Sequence, residues 1–245
     1  MGCYHCYRDC AAELVSSREL PPDRLAVLFT AVERAEVIGA TPHESAWILR
    51  RALDAVLLGQ VSSERALDRR HLIDLTDRSL EWASLDDGVM GGSSSSRLVR
   101  TAGTASFEGV ISIAAGGGLA SCRCKLPTSL GLAGACGVLL ECVGDGRTGY
   151  KVLLKVSIGD ASSEFLYQAS VDAHRSEWST VHLPLTAFHA TSRGRSVPHA
   201  PQLSADGSVS EVGVMLSRGG RGLAPFQEGR FKLQLRRIAA YGEPA

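Results

Sequence analysis

Apolar residues recur along this chain with two different periods, and the period changes near His71. Before that point the spacing is i, i+3, i+4, i+7, typical of one face of an α-helix, as in Leu25, Leu28, Phe29 and Val32. After it, apolar and polar residues alternate, which is typical of strands with one buried face. The sequence therefore predicts a helical region over residues 1–70 and a mainly β domain over residues 71–245.

Start and stop signals divide the helical region. Asp23 can cap the first amphipathic stretch, and Gly39 is placed to end it. Thr41-Pro42-His43-Glu44 has the form of a capping box with proline at the first helical position, and Gly59 follows the apolar face as a stop. A third, shorter helix is predicted from Ser63 towards Arg70. These helices are too short to be stable alone, so we expect them to pack on each other and on the β domain.

The β domain consists of short apolar runs separated by Gly, Ser, Pro and Asp clusters, without helical stretches between them. This arrangement favours an antiparallel β-sandwich, with a jelly roll as the specific expectation. The predicted strands lie near residues 107–113, 120–125, 137–143, 150–158, 165–171, 178–185, 209–216 and 231–238.

A glycine-rich stretch, Asp86-Asp87-Gly88-Val89-Met90-Gly91-Gly92-Ser93, stands out between the predicted strands. Its glycines allow the backbone to bend sharply, and its two apolar residues can anchor it to the domain. We expect a packed loop of defined shape, in which Met90 is buried.

A second stretch, residues 144–149, satisfies the GxGxxG pattern of dinucleotide-binding loops. In those loops a helix follows the glycines, whereas here Tyr150 begins an alternating strand pattern. The pattern therefore predicts a hairpin turn and no nucleotide site.

Charge and cysteine content exclude several functions. Lys plus Arg and Asp plus Glu both total 26, so the chain lacks the basic excess of nucleic-acid-binding proteins. No apolar run is long enough to span a membrane. The seven cysteines form no recognisable disulfide framework, and Cys3, Cys6 and Cys10 lack the second ligand pair of a zinc site. We expect no metal, no cofactor and no catalytic constellation.

Several motifs occur together, in order, over residues 71–242, and this part resembles the complex I intermediate-associated protein 30 (CIA30) domain family. The motifs are Trp82 with Asp87-Gly88-Val89-Met90-Gly91-Gly92-Ser93, Phe107-Glu108-Gly109, Gly117-Gly118-Leu119-Ala120-Ser121, Gly144-Asp145-Gly146-Arg147 with Tyr150, Trp178 to Leu185, Val212 to Leu216, and Gly229 to Leu233. The chain departs from the family pattern at Leu119, where a phenylalanine is usual, and at Thr148-Gly149, which adds length.

The resemblance implies a galactose-binding-like β-sandwich that acts without catalysis as an assembly factor or accessory subunit of a large membrane complex. Mitochondrial respiratory complex I is the first expectation, with a photosynthetic complex and a chloroplast location as alternatives. Partners would be protein subunits, with peripheral contact to a membrane left open. A carbohydrate-binding module is the other alternative. Acidic residues among the first 25 positions disagree with a mitochondrial presequence.

Two sets of residues follow from these arguments. Trp82 and Trp178, which coincide with core positions of the family, are expected with Met90 to be buried structural anchors. The polar and glycine-rich loops are expected to contact a partner. Their candidate residues are Asp86, Asp87, Gly88, Gly91, Gly92, Ser93, Asp145, Arg147, Arg193, Arg218 and Arg221.

Overall fold

A computed structural model describes residues 2–35, 42–57, 68–75, 77–158, 164–173, 177–192, 195–218 and 226–242. Among these residues, three helices come first, α1 (Gly2–Ser17), α2 (Pro22–Ala35) and α3 (Pro42–Leu57). Thirteen strands follow: β1 (Asp68–Ile73), β2 (Trp82–Ser84), β3 (Ser95–Thr101), β4 (Thr104–Ile111), β5 (Leu119–Gly131), β6 (Ala135–Val143), β7 (Tyr150–Ile158), β8 (Glu164–Val171), β9 (Ser179–Pro184), β10 (His189–Ser192), β11 (Arg195–Ser196), β12 (Gly207–Ser217) and β13 (Gly229–Gly242).

The strands form two antiparallel sheets, which confirms the predicted sandwich. The six-stranded sheet has the order β3-β4-β13-β6-β9, with β1 also paired to β13. The seven-stranded sheet has the order β11-β10-β8-β7-β12-β5-β2. All pairs in both sheets are antiparallel.

The core lies between the sheets and is formed by the residues whose alternation predicted the strands. On β7 the inward residues Tyr150, Val152, Leu154 and Val156 are buried, and β13 contributes its own inward row from the other sheet. Phe107 and Phe231 meet across the core with ring centroids 4.9 Å apart. The alternation of apolar and polar residues in the sequence therefore reflects the burial of one face of each strand.

The predicted hairpin at residues 144–149 is wrong in its topology. Strand β6 ends at Val143 in the six-stranded sheet, and β7 begins at Tyr150 in the seven-stranded sheet. The GxGxxG stretch therefore crosses from one sheet to the other. Alternation records which side chains face the core, but it does not record which strand is the neighbour, so the pattern could not distinguish the two connections.

The helices pack on one another around a separate small core that includes Leu28, Val32, Leu49 and Leu53. The second and third begin at Pro22 and Pro42, so Asp23 lies within the first turn and not at the predicted cap position before it. The predicted third helix is wrong over residues 68–70, because they begin β1 and pair with β13. Gly39, Thr41, Gly59 and residues 63–67 lie outside the described residues.

Helix α2 also packs on the sandwich. Ala26 belongs to the sandwich core, and the Glu33 carboxylate accepts a hydrogen bond from Ser170 Oγ on β8. Lys151 on β7 is buried, with its Nζ 3.9 Å from Glu33 Oε2 and 3.1 Å from Ser217 Oγ. Helix α2 thus supplies the Glu33 carboxylate that pairs with the buried Lys151 ammonium of the sheet.

No helix of the described residues is long and apolar enough to cross a membrane.

Candidate protein-binding site

The glycine-rich stretch of residues 86–93 forms a compact turn at one end of the sandwich. A 3-10 turn covers Asp87–Met90 and ends at Gly91, whose φ of 85° is a left-handed conformation that suits glycine. The N–H of Gly91 donates to Gly88 O, and the N–H of Gly92 donates to Asp87 O. The prediction of a loop with a defined shape is therefore confirmed in its backbone.

Asp87 holds this turn to two neighbouring segments. Its carboxylate is fully buried and accepts hydrogen bonds from the Ser94 N–H at 2.9 Å, the Ser94 hydroxyl at 2.7 Å, the Gly118 N–H at 2.7 Å and the Leu119 N–H at 3.2 Å. Burial raises the pKa of this carboxyl, but the bonds from Ser94, Gly118 and Leu119 outweigh it, so the pKa lies below its usual value. Asp87 therefore links the neighbouring loop segments through hydrogen bonds inside the protein.

The Asp86 carboxylate links adjacent strands through hydrogen bonds in a similar way. Its carboxylate accepts bonds from the N–H and hydroxyl of Ser96 at 2.9 and 2.6 Å, and from the N–H of Ser121 at 3.0 Å. Ser96 lies on β3 in one sheet, and Ser121 lies on β5 in the other. Asp86 thus joins the two sheets at this end.

The glycines around Asp87 are required by its carboxylate. A Cβ on Gly92 would lie 2.3 Å from the Asp87 carboxyl carbon, and a Cβ on Gly117 would lie 2.6 Å from its Oδ2. Both distances are far below van der Waals contact. Gly92 was predicted to let a partner approach the backbone, whereas in the structure Gly92 and Gly117 make room for an internal carboxylate.

The side chains that are exposed to solvent at this end of the sandwich differ from those predicted. Met90 is 66% exposed at the end of the 3-10 turn, so the prediction that it is a buried anchor is wrong. The space beneath the turn is taken by the Asp87 carboxylate, and Met90 therefore points outward. Gly88, Gly91 and Ser93 are exposed beside it.

Ile113 and Arg218 extend the same exposed surface. The Arg218 N–H donates to Gly118 O at 2.8 Å, and a Cβ on Gly118 would lie 3.2 Å from Arg218 Cβ and 3.5 Å from Ile113 Cγ2. Both side chains therefore flank the segment that Asp87 holds, and Ile113 is 38% exposed. We call the exposed residues Met90, Ser93, Ile113 and Arg218 the loop-end surface. Ile113 carried no motif that would have identified it in the sequence.

Asp145 and Arg147 are also used within the protein. Asp145 accepts bonds from the Arg147 backbone N–H and Nε, and from the Lys232 N–H at 3.0 Å. Arg147 donates to the carbonyls of Gln227, Glu228 and Arg230. The crossing segment is therefore fastened to the start of β13. Arg193 and Arg221 lie outside the described residues.

The two tryptophans of the predicted anchor set differ in burial. Trp82 is half-buried and packs against the sandwich core, and its buried indole N–H has no hydrogen-bond partner among the described residues. Trp178 is 37% exposed, so its prediction as a buried anchor is wrong. It directly precedes β9, on the outward side of the six-stranded sheet, and the Arg236 guanidinium lies 4.1 Å from its ring centroid. The alternation along a strand gives no information on the burial of a residue that lies just outside the strand, as Trp178 does.

A groove that no sequence pattern predicted lies on the outward face of the seven-stranded sheet. Its volume is about 490 Å³, and Arg123, Lys155, Phe165, Thr191 and Glu211 are among its lining residues. Arg123 pairs with Glu211 at 3.6 Å. These residues come from five strands that are distant in sequence, so only the pairing of the strands brings them together.

The cysteines form no metal centre among the described residues. Cys6 and Cys10 are exposed on α1, whereas Cys122, Cys124 and Cys142 are buried in the sandwich. Burial raises the pKa of Cys142 to about 12, and it raises the pKa values of Cys122 and Cys124 as well.

Comparison with solved structures returns sandwich domains of low sequence identity. The family 11 carbohydrate-binding module of the cellulosomal cellulase Lic26A-Cel5E of Clostridium thermocellum is 15% identical, with a TM-score of 0.49, over 73% of this chain and 97% of the module. A structure of the family 11 module from Clostridium thermocellum in complex with a β-1,3-1,4-mixed-linked tetrasaccharide is 14% identical, with a TM-score of 0.47, over 73% of this chain and 98% of the other. At this similarity the matches carry no functional argument. No curated protein sequence matches the chain.

A family model matches the part of the chain that contains the loop-end surface and nearly all of both sheets. The model is that of Complex I intermediate-associated protein 30 (CIA30), and the match covers residues 72–235, more than half of the chain. The chain belongs to the CIA30 family.

Proposed function

We propose that this protein is a non-enzymatic assembly factor or accessory subunit of mitochondrial respiratory complex I, and that it acts by binding other protein subunits. The match of residues 72–235 to the CIA30 family carries this proposal. The proposal includes a mitochondrial location and a division into a helical region, residues 1–70, and a sandwich domain, residues 71–245.

The geometry of the loop-end surface supports a binding role. Asp86 and Asp87 fix the loops through buried or half-buried carboxylates, so the loops lose little conformational entropy when a partner binds. Met90 offers a flexible apolar side chain and Arg218 a cation, and both residue types are enriched at protein interfaces. The glycines let a partner approach the backbone between them.

The helical region contributes to the proposed interface mainly through α1. Helix α2 is already packed on the sandwich and on α3, so most of its apolar face is in use. On α1, Cys6 and Cys10 lie on the side that faces solvent, one helical turn apart. A partner that contacts both this side and the loop-end surface would reach the area of a specific interface, roughly 1,200–2,000 Å².

Recovery of complex I from mitochondrial extract by the tagged full chain tests the proposal. The chain should recover complex I subunits or intermediates, and the double variant Met90→Ser/Arg218→Ser should recover at least about tenfold less, as expected for interface residues. The control variant Leu57→Ser/Arg195→Ser removes one exposed apolar residue and one exposed arginine elsewhere, and it should recover as much as the wild type.

Two results would contradict this function. Recovery of no complex I subunit by the wild-type chain would refute the assembly role, and recovery of a photosynthetic complex from chloroplast extract would replace complex I with that alternative. Equal recovery by both double variants would move the interface away from the loop-end surface.

Carbohydrate binding is a second candidate because of the groove on the seven-stranded sheet. Phe165 lines this groove with a half-buried ring that also packs against the sandwich core, and Arg123, Glu211 and Thr191 offer polar groups near it for a sugar. A glycan array probed with the full chain tests this function. Binding that is lost in Phe165→Ala would support it, and an array without signal would exclude the glycans present on it.

A further inference from the structure

The outward face of the six-stranded sheet is rich in cations. On this face, strands β3, β4, β6, β9 and β13 present five Lys or Arg residues, Arg97, Arg230, Lys232, Arg236 and Arg237, and two acidic residues, Glu108 and Glu141. Both carboxylates are paired with arginines of the same sheet: Glu108 with Arg97 at 2.7 Å, and Glu141 with Arg237 at 3.6 Å. Both acidic side chains of this face therefore already form ion pairs with arginines.

Three further cations project from β13 and are exposed: Arg230, Lys232 and Arg236. Phe231, Leu233 and Leu235 point into the core, so Arg230 and Lys232, which alternate with them, point outward and lie roughly 7 Å apart. Among the described residues, no carboxylate lies within ion-pair distance of these three side chains. They form a row of cations on one strand.

Exposed apolar groups lie at both ends of this row. Trp178 stacks under the Arg236 guanidinium, and Val110, opposite Arg230 on β4, is 42% exposed. A tryptophan with a stacked arginine combines an apolar body with a polar rim, and this combination suits the boundary between water and an apolar phase. We name Val110, Trp178, Arg230, Lys232 and Arg236 the cationic face.

The composition of the cationic face fits a lipid surface better than a protein. The centre of a protein interface is depleted of charged residues and is mostly apolar, whereas here cations occupy the centre and apolar groups the ends. A leaflet with anionic lipids offers many phosphates to cations at any position along the row. The chain has no net charge, so the attraction is local and selects one orientation.

From these observations we propose that the cationic face docks on a bilayer surface containing anionic phospholipids, with Trp178 at the level of the headgroups. This contact goes beyond the protein-binding function proposed above. A vesicle assay contains no other protein, so its failure would leave the assembly role untouched, and a failed recovery of complex I would leave the lipid contact untouched.

The test measures sedimentation of the full chain with vesicles of phosphatidylcholine alone and with about one fifth phosphatidylserine, a composition typical of an anionic leaflet. We expect binding only to the anionic vesicles, and weaker binding as salt is raised. Each cation near such a surface contributes a factor of roughly five to the partition coefficient. The triple variant Arg230→Gln/Lys232→Gln/Arg236→Gln should therefore bind about 100-fold more weakly.

A matched variant, Arg78→Gln/Lys125→Gln/Arg195→Gln, removes three exposed cations from other surfaces and the same total charge. We expect it to bind within about threefold of the wild type, since its cations lie away from the bilayer. An equal loss in both triple variants would overturn the proposal in favour of unspecific charge. Equal binding of the wild type to neutral and anionic vesicles would also overturn it.

Tryptophan fluorescence tests the orientation. Anionic vesicles should shift the emission of the wild type to shorter wavelength, and Trp178→Phe should abolish the shift. A shift that persists in Trp178→Phe would overturn the assigned orientation. Binding to soluble polyglutamate without binding to anionic vesicles would overturn the lipid proposal and identify the cationic face as a site for an acidic protein.

Discussion

Asp87 is a charged residue whose role follows from the donors around it. Four hydrogen-bond donors from three residues converge on its carboxylate, and no solvent reaches it. A buried charge is tolerated only when it is hydrogen-bonded in this way. The sequence placed Asp87 in a loop of special shape, but it could not show the direction of the carboxylate, because Gly118 and Leu119 lie more than thirty positions further along.

Asp87→Ala should lower the free energy of unfolding by about 3–5 kcal/mol, because it removes the acceptor of the Ser94, Gly118 and Leu119 N–H groups and leaves the Ser94 hydroxyl with Ser112 O at 3.3 Å. Urea unfolding followed by circular dichroism measures this change. Asp206→Ala is the control, since Asp206 is exposed, and it should change stability by less than about 0.5 kcal/mol. A loss below 1 kcal/mol in Asp87→Ala would mean that the carboxylate does not join the loops.

The contribution of Asp87 should also depend on pH. Its pKa in the folded protein lies below the unfolded value of about 3.9, so the folded state binds the proton more weakly. The stabilisation is then complete above the unfolded pKa and is lost as the pH falls through the folded pKa. The difference in stability between the wild type and Asp87→Asn should shrink in acid. A difference that stays constant from neutral pH into acid would contradict this.

Met90 and Phe107 should differ strongly in their effect on stability. Met90→Ser should cost less than about 0.5 kcal/mol because the side chain is mostly exposed, whereas Phe107→Ala should cost about 3–5 kcal/mol because it empties the core. Thermal unfolding of both variants measures the contrast. Comparable losses would restore Met90 as an anchor.

At the scale of elements, the sequence predicted best where one face is buried and the segment is regular. Strands β7, β8, β9 and β12 follow their predicted ranges closely, and the starts of α2 and α3 coincide with proline. It failed where the outcome depends on a distant partner. Residues 68–70 have helical propensity around them, yet β13 recruits them as a strand, and residues 144–149 cross between sheets.

The candidate site was predictable to a similar degree. The position of the loop and its sharp bend at Gly91 follow from the local sequence, because a left-handed backbone suits glycine whatever its neighbours are. The reason for Gly92, which is its close contact with the Asp87 carboxylate, could not be predicted. The exposed residues Met90 and Trp178 could not be predicted, because burial beneath a turn or beside a strand depends on what occupies the space. At residues 86–93 that occupant is a carboxylate from the same turn.

The packing of α2 on the sandwich should be sensitive to Glu33. Glu33→Ala leaves the buried Lys151 ammonium with Ser217 as its remaining polar contact among the described residues, and we expect a loss of about 2–4 kcal/mol. Glu13→Ala, on the exposed side of α1, is the matched control and should be nearly neutral. Chemical unfolding of both variants measures the effect. Equal stability of the two would show that the helix does not rely on this contact.

At the scale of the whole molecule, the cysteines report whether the sandwich is closed. The thiolate is the reactive form, and burial raises the pKa of Cys142 to about 12 and also raises that of Cys122. Near pH 8, iodoacetamide should modify Cys6 and Cys10 rapidly and the buried cysteines only during unfolding. Mass spectrometry of the modified peptides measures this. Rapid modification of Cys142 in the native protein would contradict the closed core.

The chain order of the central strands has a consequence for how the protein is made. In the six-stranded sheet β13 joins β1, β4 and β6, and in the seven-stranded sheet β12 joins β5 and β7. These two strands follow all the strands that they join, so neither sheet can close during most of translation. Until then, the edges of at least five strands are free to pair with other chains. A nascent chain that stalls before residue 207 should therefore depend on chaperones, although the finished protein is a closed sandwich.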